Sequence, residues 1–510
     1  MKSKTKSVSS PVGGWNARDA LAQMPPTDAV KMENAFPNTT DVQLRKGAAN
    51  HVTGITGKTV QTLAAYNNAT TSELYAFVDN AVYDVSSAGA VGSAESGTTI
   101  TNAKWQFINF KVPNGAHWLL CVNGVDKPLF YDGTNWVVVT HSTTPAITGY
   151  PSNALQNIIH INEFKQRVWL ISKDSSVAFY LPTDSVGGGA TAFDLAPVFD
   201  QGGSLMAMGT WSIDAGAGLD DHAVFISSKG QVAVYAGTDP ANAATFSLIG
   251  VFDIGSPIGR RCFIKFGGDL LVITQGGVVP LSKALINAEI SQAVAITDKI
   301  RSEVTEAVAS YSANFGWQLL QYPNANMLLL NVPVSATLFE QYAMNTITGA
   351  WCKFTGWDSS CWEIFNDEIY FGGSTAVRKA WSGNSDYGNN ITADVIPAFD
   401  YFNSNRQKRF TMARPIFLST GTPSILMDMN TDYVTLPPSG APSLAVSNES
   451  IWDTSKWDEA SWGGDYQIQK DWATVTGVGF SASLHIQFTS KANEVKWLST
   501  DFVFENGAVI

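Results

Sequence analysis

Pairs of short apolar runs, separated by turn-forming residues, recur between residues 58 and 385 of this 510-residue chain. In one unit, the runs 73–78 and 81–85 flank the dipeptide Asp79-Asn80; in the next, the run 117–122 is followed by Asn123-Gly124. Apolar runs of this length joined by Asn, Asp and Gly are typical of antiparallel β-hairpins. A small sheet of this kind cannot bury both faces alone, so neighbouring units must stack on each other.

The spacing of the units predicts the arrangement of the stack. Successive units begin about 40–50 residues apart, which is the length of a β-propeller blade. Six or seven units are present, so we expect an all-β fold built on a β-propeller of six or seven blades, with a pair of β-sandwiches as the competing fold. The predicted divisions are an N-terminal arm with further strands (1–57), the propeller (58–388) and a C-terminal β-rich region (389–510).

The composition agrees with a fold of many short strands. The chain contains 43 glycines and 11% aromatic residues, and only 15% of its residues are charged, against about 25% in typical soluble domains. Two helices are nevertheless predicted. A short one begins at Thr27 as N-cap and continues to Asn34, and a longer one lies within 287–308, with Ile300, Val304 and Val308 on one stripe.

The charge distribution bears on partners. The net charge is −12, but the first 50 residues carry +3, which leaves −15 on the remainder. An acidic body is not a general nucleic-acid binder, because such binders present basic surfaces. It does suit a wall past which DNA must slide, since like charges repel. The basic N-terminal segment is interpreted as an interaction arm; the alternative is a strand that packs on its own domain.

No motif in the sequence predicts catalysis, a metal site or a cofactor. The four cysteines form no C-x-x-C pair and are expected to be buried free thiols. The segment 54–59 lacks the first glycine of a P-loop, because Val52 stands at that position. The triplet Asp220-Asp221-His222 is interpreted as a surface turn, and the segment 131–136, which contains Asp132, as a β-turn.

Two features in the C-terminal region predict contact surfaces. Residues 404–414 hold four cations, among them Arg406, Lys408 and Arg409. Further on, three tryptophans follow one another at a spacing of five, which fits neither a strand nor a helix: Trp452, Trp457 and Trp462. Packing within their own domain is one interpretation of these indoles, and contact with another subunit is the other, since tryptophan is enriched at interface hot spots.

Several segments resemble one family of phage proteins. The segments are 13–20, 24–29, 44–47, 344–357 and 365–373, together with the tryptophan loop. They resemble the tail nozzle, or packaged-DNA stabilisation protein, of short-tailed phages. The resemblance covers about a quarter of the chain.

The resemblance implies a structural role without catalysis. It implies one β-propeller per subunit, a platform built from N- and C-terminal strands, and a six-fold ring below the portal and adaptor that lines and closes the DNA exit channel. The implied partners are other copies of the chain and the portal-side adaptor, with tail fibres or tailspikes as further candidates, while DNA passes without sequence-specific binding. The expected contact residues are Trp15, Arg18, Arg45, Lys46, Arg406, Lys408, Arg409, Trp452, Trp457 and Trp462.

Two other functions remain open from the sequence. A glycan-binding or glycan-degrading propeller would place converging carboxylates and aromatic residues at one end of the propeller. A receptor-binding tail fibre would contain a long repetitive shaft. The N-terminus has positive charge but no apolar region after it, and no apolar run is long enough to cross a bilayer. We therefore expect a virion tail protein that is assembled in the cytoplasm of the host bacterium.

Overall fold

The computed structural model describes residues 3–55, 59–151, 154–214, 219–284, 295–439 and 466–507, and most of them lie in strands. Six strands precede the first blade: β1 (Ser3–Ser9), β2 (Gly14–Trp15), β3 (Asp28–Glu33), β4 (Ala35–Pro37), β5 (Val42–Leu44) and β6 (Ala48–Thr53). The helix predicted from Thr27 to Asn34 is wrong, because this segment forms β3. Strand β3 pairs antiparallel with residues 394–397, with Ala29 opposite Pro397. This pairing with a distant part of the chain outweighs the local capping pattern that favours a helix.

The first four blades follow in chain order. Blade 1 contains β7 (Val60–Asn67), β8 (Ser72–Val78) and β9 (Ala81–Asp84), and the short β10 (Gly89–Ala90) comes after it. Blade 2 contains β11 (Gln106–Lys111), β12 (His117–Val122), β13 (Leu129–Tyr131) and β14 (Trp136–Val138), followed by β15 (Ile147–Thr148). Blade 3 contains β16 (Ile158–Phe164), β17 (Arg167–Ser172), β18 (Val177–Tyr180) and β20 (Thr191–Asp194), while β19 (Gly188–Gly189) pairs with β15. Blade 4 contains β21 (Leu205–Asp214), β22 (Leu219–Ser227), β23 (Gln231–Gly237) and β24 (Phe246–Asp253).

Three further blades complete the series. Blade 5 contains β25 (Phe263–Phe266), β26 (Asp269–Thr274) and β27 (Gly277–Pro280). The helices α1 (Leu281–Ala284) and α2 (Arg301–Tyr311) come next, and the predicted stripe of Ile300, Val304 and Val308 is buried. Blade 6 contains β28 (Gln318–Tyr322), β29 (Met327–Pro333), β30 (Phe339–Asn345) and β31 (Trp351–Phe354). Blade 7 contains β32 (Cys361–Phe365), β33 (Glu368–Gly372) and β34 (Ala376–Ala380).

The blades form a closed ring. Within the described part of the chain, the first strand of each of the seven blades contacts the first strand of the next, and β32 of blade 7 contacts β7 of blade 1. Blade 7 is extended by β6, which pairs antiparallel with β34 from Thr53↔Ala376 to Ala48↔Ala380. Although β6 lies in the segment predicted as an arm, it therefore completes the last blade of the propeller. The predicted propeller fold is confirmed.

Apolar layers between consecutive blades stabilise the ring. Trp169 of blade 3 lies against Phe225 of blade 4 with ring centroids 5.3 Å apart, and a second aromatic cluster around Tyr75 and Tyr131 joins blades 1 and 2. Burying a large apolar side chain contributes roughly 1.5–3 kcal/mol. Because both faces of a blade are covered, a central strand such as β29 is buried along its whole length. The four cysteines are buried free thiols, as predicted.

The two ends of the chain form the platform that the fold class predicts. The C-terminal strands are β35 (Ile391–Pro397), β36 (Lys408–Ser419), β37 (Ser424–Thr431), β38 (Gln467–Gln469), β39 (Ala473–Gly479), β40 (Ala482–Ser490) and β41 (Val495–Asn506). One sheet runs β3-β35-β40-β37 and continues from blade 6 through β31. The other has β36 and β41 at its centre, with β38 and β39 on one side and β1, β5 and β4 on the other. No helix in the described ranges has both the length and the apolar character needed to cross a bilayer.

Candidate functional site

Two of the predicted contact residues lie inside the chain's own fold. The Trp15 ring packs edge-on against Tyr342, with centroids 5.5 Å apart, and is buried. Arg45 is buried as well; its guanidinium donates to the side chains of Asn34 and Asp386 and to the backbone carbonyl of Thr355. Neither side chain is left exposed to a partner, so the structure places both in the interior rather than at a subunit contact.

Arg18 and Lys46 are partly exposed, and both form ion pairs within the chain. Arg18 Nη1 lies 2.5 Å from Asp298 Oδ2, just before α2, and Arg18 Nε lies 2.7 Å from Asp19 Oδ1. Lys46 Nζ lies 2.7 Å from Glu494 Oε2. Exposed pairs of this type stabilise a fold by about 0–1 kcal/mol. Their roles in a subunit contact stay predictions.

The cationic stretch around β36 divides into buried and exposed residues. The Lys408 ammonium is buried and donates to three backbone carbonyl oxygens, those of Ser404 at 2.6 Å, Arg406 at 2.8 Å and Phe480 at 2.7 Å. Burial lowers the pKa of Lys408, an effect that nearby carboxylates oppose. Arg406 and Arg409 are exposed. Lys408 is therefore a structural cation of the C-terminal region, whereas Arg406 and Arg409 remain candidate contact residues.

Four exposed apolar side chains lie on or next to β38 and β39, along one side of the platform sheet. Val478 of β39 is directly opposite Arg409, and Ile468 of β38 is opposite Leu418 of β36. We call Ile468, Trp472, Val478 and Phe480 the apolar strip; their exposed fractions are 58%, 38%, 56% and 46%. The guanidinium of Arg414 lies over the Trp472 ring at 4.8 Å from its centroid. Groups of exposed apolar side chains with a polar rim are typical of contact surfaces.

The apolar strip was not predicted from the sequence. The signal that could have found it is the period-2 pattern of β39, in which Val475 is buried while Val478 and the two threonines are exposed. The strip begins just after the segment 440–465. Trp452, Trp457 and Trp462 belong to that segment and lie outside the described residues, so their contact with another subunit stays a prediction.

Apart from the buried terminal strand β4, the platform sheet ends in two different edges. Among the described strands, β38 and β39 pair only with β36, and β1 pairs only with β41. Strand β1 carries Lys4 and Lys6, and edge lysines oppose strand addition. Strand β39 contains no charged residue. The β38–β39 edge is therefore the one better suited to contact another molecule.

Asp221 and Asp132, which belong to two of the sequence segments discussed above, have structural roles. Asp221 accepts a hydrogen bond of 2.6 Å from Ser212, and Asp132 accepts bonds from the backbone N–H groups of Thr134 and Asn135 in the turn between β13 and β14. Asp221 and His222 lie on β22 rather than in a surface turn. Lys58, which belongs to the segment 54–59 that was compared with a P-loop, lies outside the described residues. No group of three His, Cys, Asp or Glu residues in the described ranges could hold a metal ion.

The axis of the propeller contains a cavity of about 260 Å³, lined by the first strands of several blades. The Arg261 guanidinium crosses it from blade 5. One terminal nitrogen donates to Gln318 Oε1 at 3.2 Å, and the other to Thr62 Oγ1 at 2.7 Å and to the carbonyl of Trp105 at 3.1 Å. A single side chain thereby joins blades 1, 5 and 6 and the segment that leads into blade 2. We call this space the axial cavity.

Burial shifts the pKa values of two titratable side chains in the axial cavity in the direction that favours their neutral forms. Burial raises the pKa of Glu363 to about 8, although Arg261 opposes the shift. Burial lowers the pKa of His160 to about 4, partly offset by its hydrogen bond to the carbonyl of Met208 at 2.9 Å. Both shifts favour the uncharged form of the side chain concerned, the carboxyl of Glu363 and the imidazole of His160.

A second cavity, of about 340 Å³, opens at one end of the axis, and we call it the mouth. It shares Gln106, Arg260 and Arg261 with the axial cavity. Three cationic side chains line it, Lys104, Arg260 and Arg261, together with the aromatic ring of Phe315, and no Asp or Glu is among its lining residues. Lys104 Nζ lies 4.7 Å and the Arg261 guanidinium 5.4 Å from the centroid of the Phe315 ring. Charge and shape suit the mouth for binding an anion rather than for acid–base catalysis.

Comparisons with known proteins identify no family. No family model matches the chain, and no curated protein matches it in sequence. Among solved structures, BBS1N in complex with ARL6DN is 8% identical over 66% of this chain and 96% of that chain, with a TM-score of 0.40. The β-propeller domain of Myceliophteria thermophila Cps50 (Swd1) is 12% identical over 62% and 95%, with a TM-score of 0.36. The computationally designed Ika8 protein is 10% identical over 65% and 98%, with a TM-score of 0.34. At these scores the likenesses carry no argument about function, and the assignment of the propeller rests on the pairing and closure of its own strands.

Proposed function

We propose that the chain is a structural subunit of a phage tail nozzle, in which six copies form a ring that lines and closes the DNA exit channel. The ring sits below the portal-side adaptor and retains the packaged genome. The observation that carries the proposal is the apolar strip along the β38–β39 edge of the platform, where the described strands pair only with β36. A surface of this type favours contact with another copy, and the same contact repeated head to tail closes a ring.

The axial cavity of a single propeller is too small to be the DNA channel. Its volume is about 260 Å³, and the Arg261 side chain crosses this space with hydrogen bonds to Thr62 and Trp105. A duplex therefore cannot pass through one propeller. If the protein surrounds DNA, the channel must lie between copies, which is why the proposal requires a ring.

The charge of the chain supports a passage that DNA does not adhere to. The net charge of the chain is −12, and the residues after the first 50 together carry −15. Phosphates are repelled by an acidic wall, so DNA slides past it instead of binding.

The glycan alternative finds no specific support in the geometry. That function requires converging carboxylates at one end of the propeller. The lining residues of the mouth supply two arginines and a lysine instead.

The test is the assembly state of the full chain. Native mass spectrometry over a concentration series should detect assemblies of six copies, and imaging of virions should place them in the tail. Val478→Glu should reduce assembly, because it introduces a charge into the apolar strip. The matched control is Ile249→Glu on blade 4, since Ile249 is equally exposed at 53% but lies on the propeller.

Three outcomes would contradict the proposal or its assigned surface. A chain that stays monomeric and is absent from purified virions is not a nozzle subunit. Equal loss of assembly in both variants would show a general effect of added charge. Unchanged assembly of Val478→Glu would move the ring contact away from the apolar strip.

A further inference from the structure

We propose that the mouth of the propeller binds a small molecule bearing two or more negative charges on carboxylate or phosphoryl oxygens. This inference rests on the propeller alone, so it does not depend on the proposed ring.

The first argument is the positive charge of the residues that line the mouth. Arg260 Nη1 donates to the carbonyl oxygen of Asn123 at 2.8 Å, and Arg261 donates to carbonyl, hydroxyl and amide oxygens. All of these acceptors are neutral. Within the described ranges no carboxylate forms an ion pair with Lys104, Arg260 or Arg261, and no Asp or Glu lines the cavity that these three cations share.

Three acidic groups lie near the mouth, but none of them lines it. Asp174 acts on Arg260, and Glu363 faces Arg261 from the axial cavity, where burial raises its pKa to about 8 and so favours its uncharged form. Asp126 lies beside the mouth, where its oxygens accept hydrogen bonds from the backbone N–H groups of Thr101 and Asn102 and from the side chain of Asn123. Burial lowers the pKa of both Arg260 and Arg261, and the charges of Asp174 at Arg260 and of Glu363 at Arg261 oppose this shift without reversing it.

The second argument is the shape and the donor set of the cavity. Its volume of about 340 Å³ falls within the roughly 300–1,000 Å³ of small-molecule pockets. Guanidinium groups bind planar carboxylates and phosphoryl groups through paired N–H donors. The side chain of Asn102 adds a neutral polar group to the lining, and Phe315 supplies an apolar wall. Enclosure, size and charge together fit a compact anion of this class.

The structural role of the two arginines does not explain why Lys104 is at the mouth. Arg260 and Arg261 connect blades through their hydrogen bonds, and that role alone explains their presence. Lys104 is exposed, and the contact that places it at the mouth is with the Phe315 ring at 4.7 Å. The third cation is therefore the residue that separates an anion site from a purely structural cluster.

The test is isothermal titration calorimetry of the full chain with two probes, pyrophosphate and citrate. We expect saturable binding that weakens as the salt concentration rises. Tighter binding of pyrophosphate would identify a phosphoryl ligand, and tighter binding of citrate a carboxylate ligand. Lys104→Gln should weaken binding about tenfold, since a lost hydrogen bond to a charged group corresponds to at least that factor. Arg260→Gln should weaken it at least as much.

The matched control is Lys111→Gln. Lys111 is exposed at the opposite end of β11 from Gln106, and its substitution makes the same change of net charge away from the mouth. Its affinity for both probes should equal that of the unmodified chain. Absence of binding by the unmodified chain, or an equal loss in Lys104→Gln and Lys111→Gln, would overturn the proposal. Because Lys104 is exposed, its variant keeps the test valid even if Arg260→Gln fails to fold.

Discussion

Arg45 and Asp386 form a bidentate ion pair, in which Arg45 Nη1 lies 2.9 Å from Asp386 Oδ1 and Nη2 lies 2.5 Å from Oδ2. The indole N–H of Trp357 donates to the same carboxylate at 3.1 Å, and the guanidinium lies over that indole ring at 4.5 Å from its centroid. Arg45 follows β5, whereas Asp386 follows β34. The pair therefore fastens the N-terminal segment to the end of the propeller at the junction with the platform.

Removing one partner of this buried pair should strongly destabilise the protein. Arg45→Met leaves the Asp386 carboxylate without its guanidinium, and breaking a buried ion pair costs about 3–5 kcal/mol. Urea denaturation followed by tryptophan fluorescence measures the free energy of unfolding. Arg18→Met is the matched control, because Arg18 forms its ion pairs at the surface, where the loss should stay below about 1 kcal/mol. Equal losses in the two variants would show that burial of Arg45 does not matter.

Lys408 and Arg409 should respond differently to removal of their charges. Lys408→Met leaves three backbone carbonyl oxygens without their donor, so we expect a loss of about 1–3 kcal/mol in the free energy of unfolding. Arg409→Gln should change it by less than about 0.5 kcal/mol, because Arg409 is exposed. Thermal and urea denaturation of the two variants test this difference. A stable Lys408→Met protein would return Lys408 to the list of contact residues.

The stability of the platform should depend on acid through Asp394. Burial alone would raise the pKa of Asp394, but hydrogen bonds from His485, Lys31 and Gln487 outweigh it and lower the pKa to about 2, from an ordinary value of 3.8. A carboxyl with a lowered pKa stabilises the fold above its unfolded-state value and loses that contribution as the pH falls toward the folded-state value. The contribution of Asp394 is therefore present above about pH 4 and disappears between pH 4 and pH 2.

Asp394→Asn is the variant that measures this contribution. It should be less stable than the unmodified chain at pH 7, and the difference should shrink between pH 4 and pH 2 in urea denaturation. The control is Asp184→Asn, at an exposed position whose φ of 58° suits asparagine. A stability difference for Asp394→Asn that does not change with pH would rule out this carboxylate as the titrating group.

Local sequence patterns predicted the blades well. The runs 73–78 and 81–85 form β8 and β9. In the turn at Asp132, the Asp132 carboxylate accepts a hydrogen bond from the backbone N–H of Thr134, two residues further on. Hairpins and turns are formed by residues that are close together in the sequence, so the spacing of residue types along the sequence is enough to predict them. The same local reasoning failed at residues 28–33, where pairing with β35 overrides the helical pattern.

The contact and cavity residues were harder to predict, for two physical reasons. Lys408 and Arg409 are adjacent, so a strand points them to opposite faces, and a cluster of cations in the sequence does not show which face is buried. Lys104 and Arg260 are far apart in the chain and meet only because the ring of blades closes. Long-range convergence of this kind leaves no local pattern.

The pairing of β6 with β34 determines when the propeller can be completed during synthesis and where the chain can be truncated. Since Thr53 needs Ala376 as its partner, the seventh blade stays incomplete until more than 300 further residues have left the ribosome. A fragment that starts at residue 58 lacks the strand that completes this blade. We therefore expect the propeller to fold late and as one cooperative unit, and deletion of the first 53 residues to impair the propeller as well as the platform.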